Sequence, residues 1–269
     1  MKLNRIALIA ALLLGTVACH HNRAQQQRPV RPLADPELLK LSKEEVYQRG
    51  EDWFAKRRYQ KSRTYFGFAF ENYPNDPLGR RALLRVADSY YAQTDAVSLV
   101  EAQYKYRDFI NRYPGSDKAD YAMLQIAMVS YQQMERPDRD QQKTREALEK
   151  FNDMIRTYPK SPLRADADKK LSDVLSRLAK HEHIVARYYI KRKSFRSAEQ
   201  RLNYLIQTYP NYDDRAGAFF DLGASLDGMG RKAEARLYFE RVLSEYPKSL
   251  YADRAKRRLD QISVKTKAA

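Results

Sequence analysis

The dipeptide Tyr-Pro occurs five times in the chain and constrains its architecture more than any other feature. Eleven residues before each tyrosine stands a small residue, and large apolar residues follow that small residue at steps of four. Steps of four place side chains on one face of an α-helix, and proline ends a helix because it has no backbone N–H to donate. Each Tyr-Pro therefore predicts the end of an amphipathic helix. The five copies are Tyr73-Pro74, Tyr113-Pro114, Tyr158-Pro159, Tyr209-Pro210 and Tyr246-Pro247.

A second small residue predicts a partner for each of these helices. Ala87, Ala127 and Gly223 each follow a Tyr-Pro tyrosine by 14 residues, and Gly50 holds the same place in the first repeat. Antiparallel helix pairs with small facing residues and a closing proline are the signature of the tetratricopeptide repeat (TPR), a unit of about 34 residues. Serines two positions after proline are expected to cap the helices that follow. They are Ser116, Ser161 and Ser249.

The fourth repeat is lengthened. Ala186 follows Tyr158 by 28 residues, twice the usual spacing, and the segment from Leu163 to Lys193 contains no proline or glycine. We expect one helix of about 30 residues there. The second and third repeats contain three and eight extra residues, which we place in the turns between their helices. Leu250–Ser263 is expected to form a capping helix without a partner repeat.

The repeats together predict an all-α protein. The expected fold is a right-handed superhelix of five TPR-like helix pairs, with a lengthened helix at the start of repeat four and a C-terminal capping helix. Residues 41–162 hold repeats one to three in this scheme. Residues 163–269 hold the long helix, repeats four and five, and the capping helix.

The N-terminus has the pattern of an export signal. A basic start is followed by the apolar run Ile6–Leu14, which is too short to span a bilayer but has the length of a signal-peptide core. Small residues then lead to Cys19, the only cysteine of the chain. Thr16-Val17-Ala18-Cys19 resembles the lipobox of bacterial lipoproteins, whose cysteine is diacylated through sulfur and acylated on its amine (for example with palmitate). The alternative is ordinary secretory cleavage after Ala18, which leaves a free thiol.

We therefore expect residues 1–18 to be a signal peptide, and residues 19–40 to be a lipidated cysteine and a flexible tether rich in Gln and Pro. Two or more acyl chains anchor a protein stably, because each buried methylene contributes about 0.8 kcal/mol. His20 follows the cysteine, where an aspartate retains enterobacterial lipoproteins in the inner membrane. The expected location is the periplasmic face of the outer membrane.

The charge of the chain narrows its partners. Lys and Arg number 50 against 34 Asp and Glu, a formal charge of +16 at pH 7. An export signal argues against nucleic acid, so we expect the excess to face acidic proteins or anionic lipid headgroups. The clusters Lys56-Arg57-Arg58 and Lys191-Arg192-Lys193 have a simpler interpretation as cations that stabilise helix ends.

Catalytic and metal-binding patterns are absent from the sequence. It contains no Gly-rich phosphate loop, no G-x-S-x-G and no H-E-x-x-H, and no carboxylate pair recurs as if buried. His181 and His183 are two residues apart and so point to different sides of a helix, which predicts surface positions and no metal site. No enzyme activity and no cofactor are expected. Three tyrosines outside the repeat register are expected to be more exposed, namely Tyr121, Tyr188 and Tyr251.

These features together resemble the BamD family of lipoproteins, which belong to the β-barrel assembly (Bam) machinery, over about residues 40–262. The match is best over Phe151–Arg201, where Arg177-Leu178-Ala179 and Tyr188-Tyr189 look like the family's long-helix motif. Another TPR envelope protein, the cell-division coordinator of the Tol-Pal system, shares the Tyr-Pro-x-Ser repeat and is the alternative. That family has an N-terminal coiled coil, whereas heptads are absent here.

The resemblance implies a non-catalytic scaffold with several partners. These are the POTRA domains of BamA, other Bam lipoproteins and unfolded β-barrel outer membrane proteins, with substrates along residues 44–135 and BamA along residues 165–262. It also places Arg201 where the family has an arginine implicated in coupling to BamA; a plain surface charge is the alternative. Lys191 and Arg192 are further candidate partner contacts.

Overall fold

The computed structural model describes residues 38–267, with side chains to residue 263. The predicted signal peptide, Cys19 and residues 19–37 of the predicted tether lie outside the described residues. The last three tether residues, Leu38–Lys40, form one turn of 3-10 helix.

Eleven α-helices and no strand make up residues 41–267, and Leu41–Ala269 is one compact unit. Each helix contacts the next along the chain, and first helices of successive repeats also touch, as α1 with α3 and α7 with α9. The helices are α1 (Lys43–Ala55), α2 (Tyr59–Asn72), α3 (Pro77–Tyr91), α4 (Ala96–Arg112), α5 (Ala119–Gln132), α6 (Gln142–Thr157), α7 (Arg164–Lys191), α8 (Phe195–Thr208), α9 (Arg215–Gly228), α10 (Lys232–Glu245) and α11 (Ala252–Lys267).

This architecture confirms the all-α, TPR-like superhelix of five helix pairs. The lengthened helix is α7, with 28 residues, and the capping helix is α11. The predicted division between residues 162 and 163 falls just before α7 begins. None of the helices between residues 38 and 267 is long and apolar enough to cross a membrane.

The repeat register explains how the helices of one pair pack. A large side chain of the second helix is fully buried in every repeat. In the first and last repeats it fills the gap left by a glycine: a Cβ on Gly50 would lie 2.6 Å from a Phe66 ring carbon, and one on Gly223 would lie 2.8 Å from Phe239. Only glycine leaves room for the ring. The five buried residues are Phe66, Tyr106, Phe151, Leu202 and Phe239.

The ends of the helices follow the proline prediction but not the serine prediction. The Tyr-Pro tyrosine is the C-cap residue of each second helix. Helices α5 and α7 have Lys118 and Leu163 at their N-caps, so Ser116 and Ser161 are not the caps. Each serine hydroxyl instead accepts a hydrogen bond from the N–H two residues on, at 3.2 and 3.1 Å. Among the described residues, the buried hydroxyl of Ser249 has no hydrogen-bond partner.

The turn inside the repeat also recurs. In four repeats the residue seven positions after the small residue has a positive φ: Arg57 (55°), Thr94 (64°), Lys193 (57°) and Gly230 (79°). The third repeat has the longer connection 133–141 at this place, which confirms the predicted large turn. The extra residues of the second repeat lengthen α4 rather than its turn, so that part of the prediction was wrong.

Candidate functional site

A groove of about 460 Å³ runs across the first helices of repeats one to three. Residues from α1, α3 and α5 line it, together with the chain just before α7. Its apolar lining is provided by Tyr47, Leu84, Tyr121, Pro162 and Leu163. Charged side chains stand among them, namely Glu51, Arg81, Arg85, Asp88, Asp117, Lys118 and Asp120.

A bidentate ion pair joins α1 to α3 at the groove. The Nε and Nη2 of Arg85 donate to the two carboxylate oxygens of Glu51 at 2.8 and 2.5 Å, and Nη1 donates to Asp88 at 3.1 Å. Burial disfavours the charged guanidinium, but Glu51 and then Asp88 outweigh it and raise the pKa of Arg85. Such two-fold contacts between charged groups are the stronger kind and fix the geometry.

Asp88 also orders two tyrosines, Tyr121 at the groove and the fully buried Tyr106 of α4. One carboxylate oxygen accepts from the hydroxyls of Tyr106 at 2.7 Å and Tyr121 at 2.9 Å. Burial, and then the charge of Asp88, raises the pKa of both phenols. Burial and then Glu51 raise the pKa of Tyr47 to about 12. Tyr121 was expected to be exposed, but it is half-buried because Asp88 on the neighbouring repeat binds it.

A second charged network joins α7 to α9. Asp221 accepts from Arg187 Nε at 2.6 Å and lies 2.9 Å from His183 Nε2. Arg187 also donates to the Tyr251 hydroxyl at 2.7 Å. Burial acts against ionisation of Asp221, but His183 and Arg187 outweigh it and lower its pKa. Burial raises the pKa of Tyr212, which faces the other nitrogen of His183, to about 12.

Two predictions were wrong at this network. His183 is 1% exposed rather than on the surface. The cause is packing: α7 also touches α9, and there His183 is bonded to Asp221 of α9 and to Tyr212 just before it. Tyr251, expected to be exposed, is half-buried and bonded to Arg187. His181 does point away from His183, because its Nδ1 lies 2.7 Å from the carbonyl of Pro137.

The two networks share one geometric rule that the sequence analysis missed. Glu51 and Arg85 are 34 residues apart, and so are Arg187 and Asp221. In each pair the first residue directly follows the small residue of its repeat: Glu51 follows Gly50, and Arg187 follows Ala186. The second residue lies two positions before the small residue of the next repeat, as Arg85 does before Ala87 and Asp221 before Gly223. The signs are reversed between the two pairs. A search for opposite charges one repeat length apart finds both.

The predicted partner contacts do not form one cluster. Arg201 on α8 is exposed and donates to Glu182 of α7 at 3.0 Å. Lys191 is the last residue of α7, and the guanidinium of Arg192, the C-cap, lies 5.3 Å from the ring centre of Tyr188. Glu182 is nine residues before Lys191, or about 14 Å along the helix axis. Tyr188 is exposed, as expected.

Between residues 38 and 263, no group of three His, Cys, Asp or Glu side chains is placed to hold a metal ion. A cavity of about 480 Å³ beside α7 is lined by three aspartates with apolar neighbours. Their carboxylates accept from Arg164, Tyr131 and Ser176 respectively; the residues are Asp168, Asp173 and Asp213.

Comparison with known proteins shows a match to one family model and to several named relatives. The family model YfiO, described as an outer membrane lipoprotein, matches residues 40–238. A relative from Rickettsia prowazekii, named outer membrane protein assembly factor BamD, is 27% identical over 251 residues, covering 93% of this chain and 94% of the relative. A Caulobacter vibrioides protein of the same name is 26% identical over 231 residues, covering 86% and 72%. Among solved structures, the TPR2AB domain of yeast Sti1 in complex with pHSP90 has a TM-score of 0.45 at 13% identity, covering 84% of each chain.

Proposed function

The chain belongs to the YfiO family of outer membrane lipoproteins, and we propose that it is the BamD-type scaffold of the outer-membrane β-barrel assembly machinery. The proposal is supported by the name of the relatives, outer membrane protein assembly factor. In this proposal the lipid on Cys19 holds it at the periplasmic face of the outer membrane. It performs no chemical step: the carboxylates of both networks are bound to arginines and tyrosines of neighbouring helices rather than held free as acids or bases.

The groove across repeats one to three is proposed to bind an extended C-terminal segment of an unfolded β-barrel protein. Its lining supports this, because tyrosine and leucine offer apolar contact beside polar tips. Asp88 and Glu51 hold the surrounding side chains in one arrangement, so little conformational entropy remains to be lost when a peptide binds. Arg81 is exposed at the rim with its guanidinium 5.3 Å from the ring centre of Tyr47, where it can meet a carboxylate. The groove is the observation that carries the proposal.

A peptide-binding measurement tests it. The probe is a fluorescent peptide with the C-terminal strand sequence of an outer-membrane porin, followed by anisotropy. Arg81→Glu is expected to weaken binding about fivefold, the size of an exposed charge contact. Lys248→Glu makes the same charge change on an exposed lysine of the last Tyr-Pro turn, and should leave binding unchanged. Equal effects of the two variants, or none from Arg81→Glu, would remove the groove as the binding site.

BamA is proposed to bind along residues 165–262, with Arg201, Lys191 and Arg192 as candidate contacts. The exposure of Arg201 on α8 supports this assignment. Capture of the protein from detergent-solubilised membranes, followed by mass spectrometry, should recover BamA. Arg201→Ala should reduce the yield, whereas Glu182→Gln, which weakens the ion pair but keeps the guanidinium, should not. Recovery of Tol-Pal proteins without BamA would contradict the proposal.

A further inference from the structure

The first turn of the superhelix carries cations above an aromatic ring. Trp53 lies near the end of α1, Lys56, Arg57 and Arg58 form the connection to α2, and Lys61 lies in the first turn of α2. These five residues are called the basic turn. Four of them, Trp53, Arg57, Arg58 and Lys61, line a shallow depression of about 640 Å³. Neither the groove nor the two networks described above involve the basic turn.

The cations of the basic turn are unlike the paired arginines elsewhere. In the part of the chain whose side chains are described, its four cations form no ion pair. The nearest carboxylates in sequence are already used: Glu51 is held by Arg85, and Asp52 accepts from Gln48. The Nζ atoms of Lys56 and Lys61 lie 5.2 and 4.5 Å from the centre of the Trp53 ring. The turn therefore presents a positive surface with an indole at its centre.

The backbone of the basic turn has the left-handed residue of the repeat turn. Arg57 has a φ of 55°, in the left-handed region. The fifth repeat has Gly230 at the equivalent position, with a φ of 79°, where glycine adopts this conformation without strain. A residue with a Cβ is strained in this conformation. Thr94 and Lys193 have the same conformation at the equivalent positions, so it belongs to the repeat turn. In the first repeat it holds an exposed arginine next to the cations Lys56 and Arg58.

We propose that the basic turn docks onto the anionic phospholipid headgroups of a membrane. Lysine and arginine are attracted to phosphate, and tryptophan is enriched at the membrane–water boundary because its ring is apolar with a polar tip. This proposal rests on the proposed function in one respect: the lipid on Cys19 holds the protein close to a membrane. The chain from Cys19 to Ser42 spans at most about 80 Å, and α1 is about 20 Å long, so the turn is within reach.

The experiment uses Trp53, the only tryptophan of the chain. The mature chain 19–269 carrying Cys19→Ser has no acyl group, so any binding comes from the protein surface. It is mixed with phosphatidylcholine vesicles that contain brominated acyl chains, with and without phosphatidylglycerol. We expect Trp53 emission to be quenched only by vesicles with phosphatidylglycerol, and quenching to fall as salt is added. Absence of quenching with phosphatidylglycerol would overturn the proposal.

Two double variants distinguish binding through the basic turn from binding that depends only on the net charge of the protein. Arg57→Gly with Arg58→Gln removes two cations and the strain at Arg57, so it should be at least as stable as the parent by thermal unfolding. Its vesicle binding should fall about 25-fold, at about fivefold per cation. Lys256→Gln with Arg257→Gln removes two exposed cations of α11 and should leave binding unchanged. Equal losses in both double variants would mean that net charge alone drives binding and would refute the site. The protein in this assay carries no acyl group and BamA is absent, so the outcome is independent of the tests of the proposed function.

Discussion

Replacement of Asp221 by asparagine tests how burial sets the strength of the inter-repeat ion pairs. Asp221 and Arg187 lie 2.6 Å apart with side chains 13% and 40% exposed. Exposed pairs contribute about 0.2–1 kcal/mol, whereas breaking a fully buried pair costs about 3–5 kcal/mol. Asp221 is nearly buried, whereas Arg187 can still reach water. We therefore expect the free energy of unfolding to fall by about 2 kcal/mol in Asp221→Asn.

The matched control is Glu240→Gln on α10. Its partner Arg236 lies 2.7 Å away, nearly the same distance, but the two side chains are 46% and 57% exposed. The loss there should stay below about 0.5 kcal/mol. Urea unfolding at neutral pH, followed by circular dichroism, measures both. Losses of equal size in the two variants would show that distance rather than burial decides the strength of these pairs.

The pH dependence checks the same reasoning independently. His183 and Arg187 lower the pKa of Asp221 in the folded chain below the value of about 3.9 for an unfolded aspartate. The stability from ionised Asp221 is therefore fully present above that pH and disappears as the pH falls through the folded pKa. The difference in the free energy of unfolding between the parent and Asp221→Asn should decrease steadily as the pH falls below about 4. A difference that is constant across this range would refute the electrostatic origin.

Three further outcomes follow from single positions. Gly223→Ala places a Cβ 2.8 Å from the buried Phe239 ring and should destabilise the chain by about 1–2 kcal/mol. Gly67→Ala, with open space around its Cβ, should stabilise it by about 0.5–1 kcal/mol. Thermal unfolding compares the two variants, and a change of the same sign in both would contradict the packing argument. Lys193→Gly should raise stability by about 1 kcal/mol, because it removes a left-handed residue with a Cβ; a loss in urea unfolding would be evidence against strain there. Cys19→Ala should release the protein from membranes of cells depleted of BamA; a variant that still sediments with those membranes would rule out the lipid as the main attachment.

The helices could be predicted because each is specified locally. Proline after tyrosine ends a helix wherever it stands, and the four-residue spacing identifies the buried face without knowledge of a neighbour. The serine prediction failed because the chain makes a further turn after proline before α5 and α7 begin, so Ser116 and Ser161 stabilise the turn instead. The extra residues of repeat two could add to the turn or to α4, and spacing alone does not distinguish these.

The site could be predicted only in outline. Residues 44–135 and 165–262 were assigned to partners by resemblance, but the contacts that order them join residues one repeat apart. Nothing in the sequence around Asp88 indicates its role, because its partner Tyr121 belongs to the next repeat. His183 is polar and lies on a long helix, which favours a surface position. Its burial depends on Tyr212 and Asp221, which the sequence separates from it by 29 and 38 residues.

The arrangement of charge explains why the net positive composition says little about binding by itself. Arginines such as Arg85 and Arg187 are held by carboxylates of the adjoining repeat, and the two pairs occur with opposite sign order. A structural pair needs only complementary charges at two positions, so either order stabilises the stacking of repeats. An external partner, in contrast, responds to the sign of what is exposed. Among the described side chains, exposed cations of this kind include Arg81 at the rim of the groove and the four of the basic turn, which form no ion pair with a neighbouring helix.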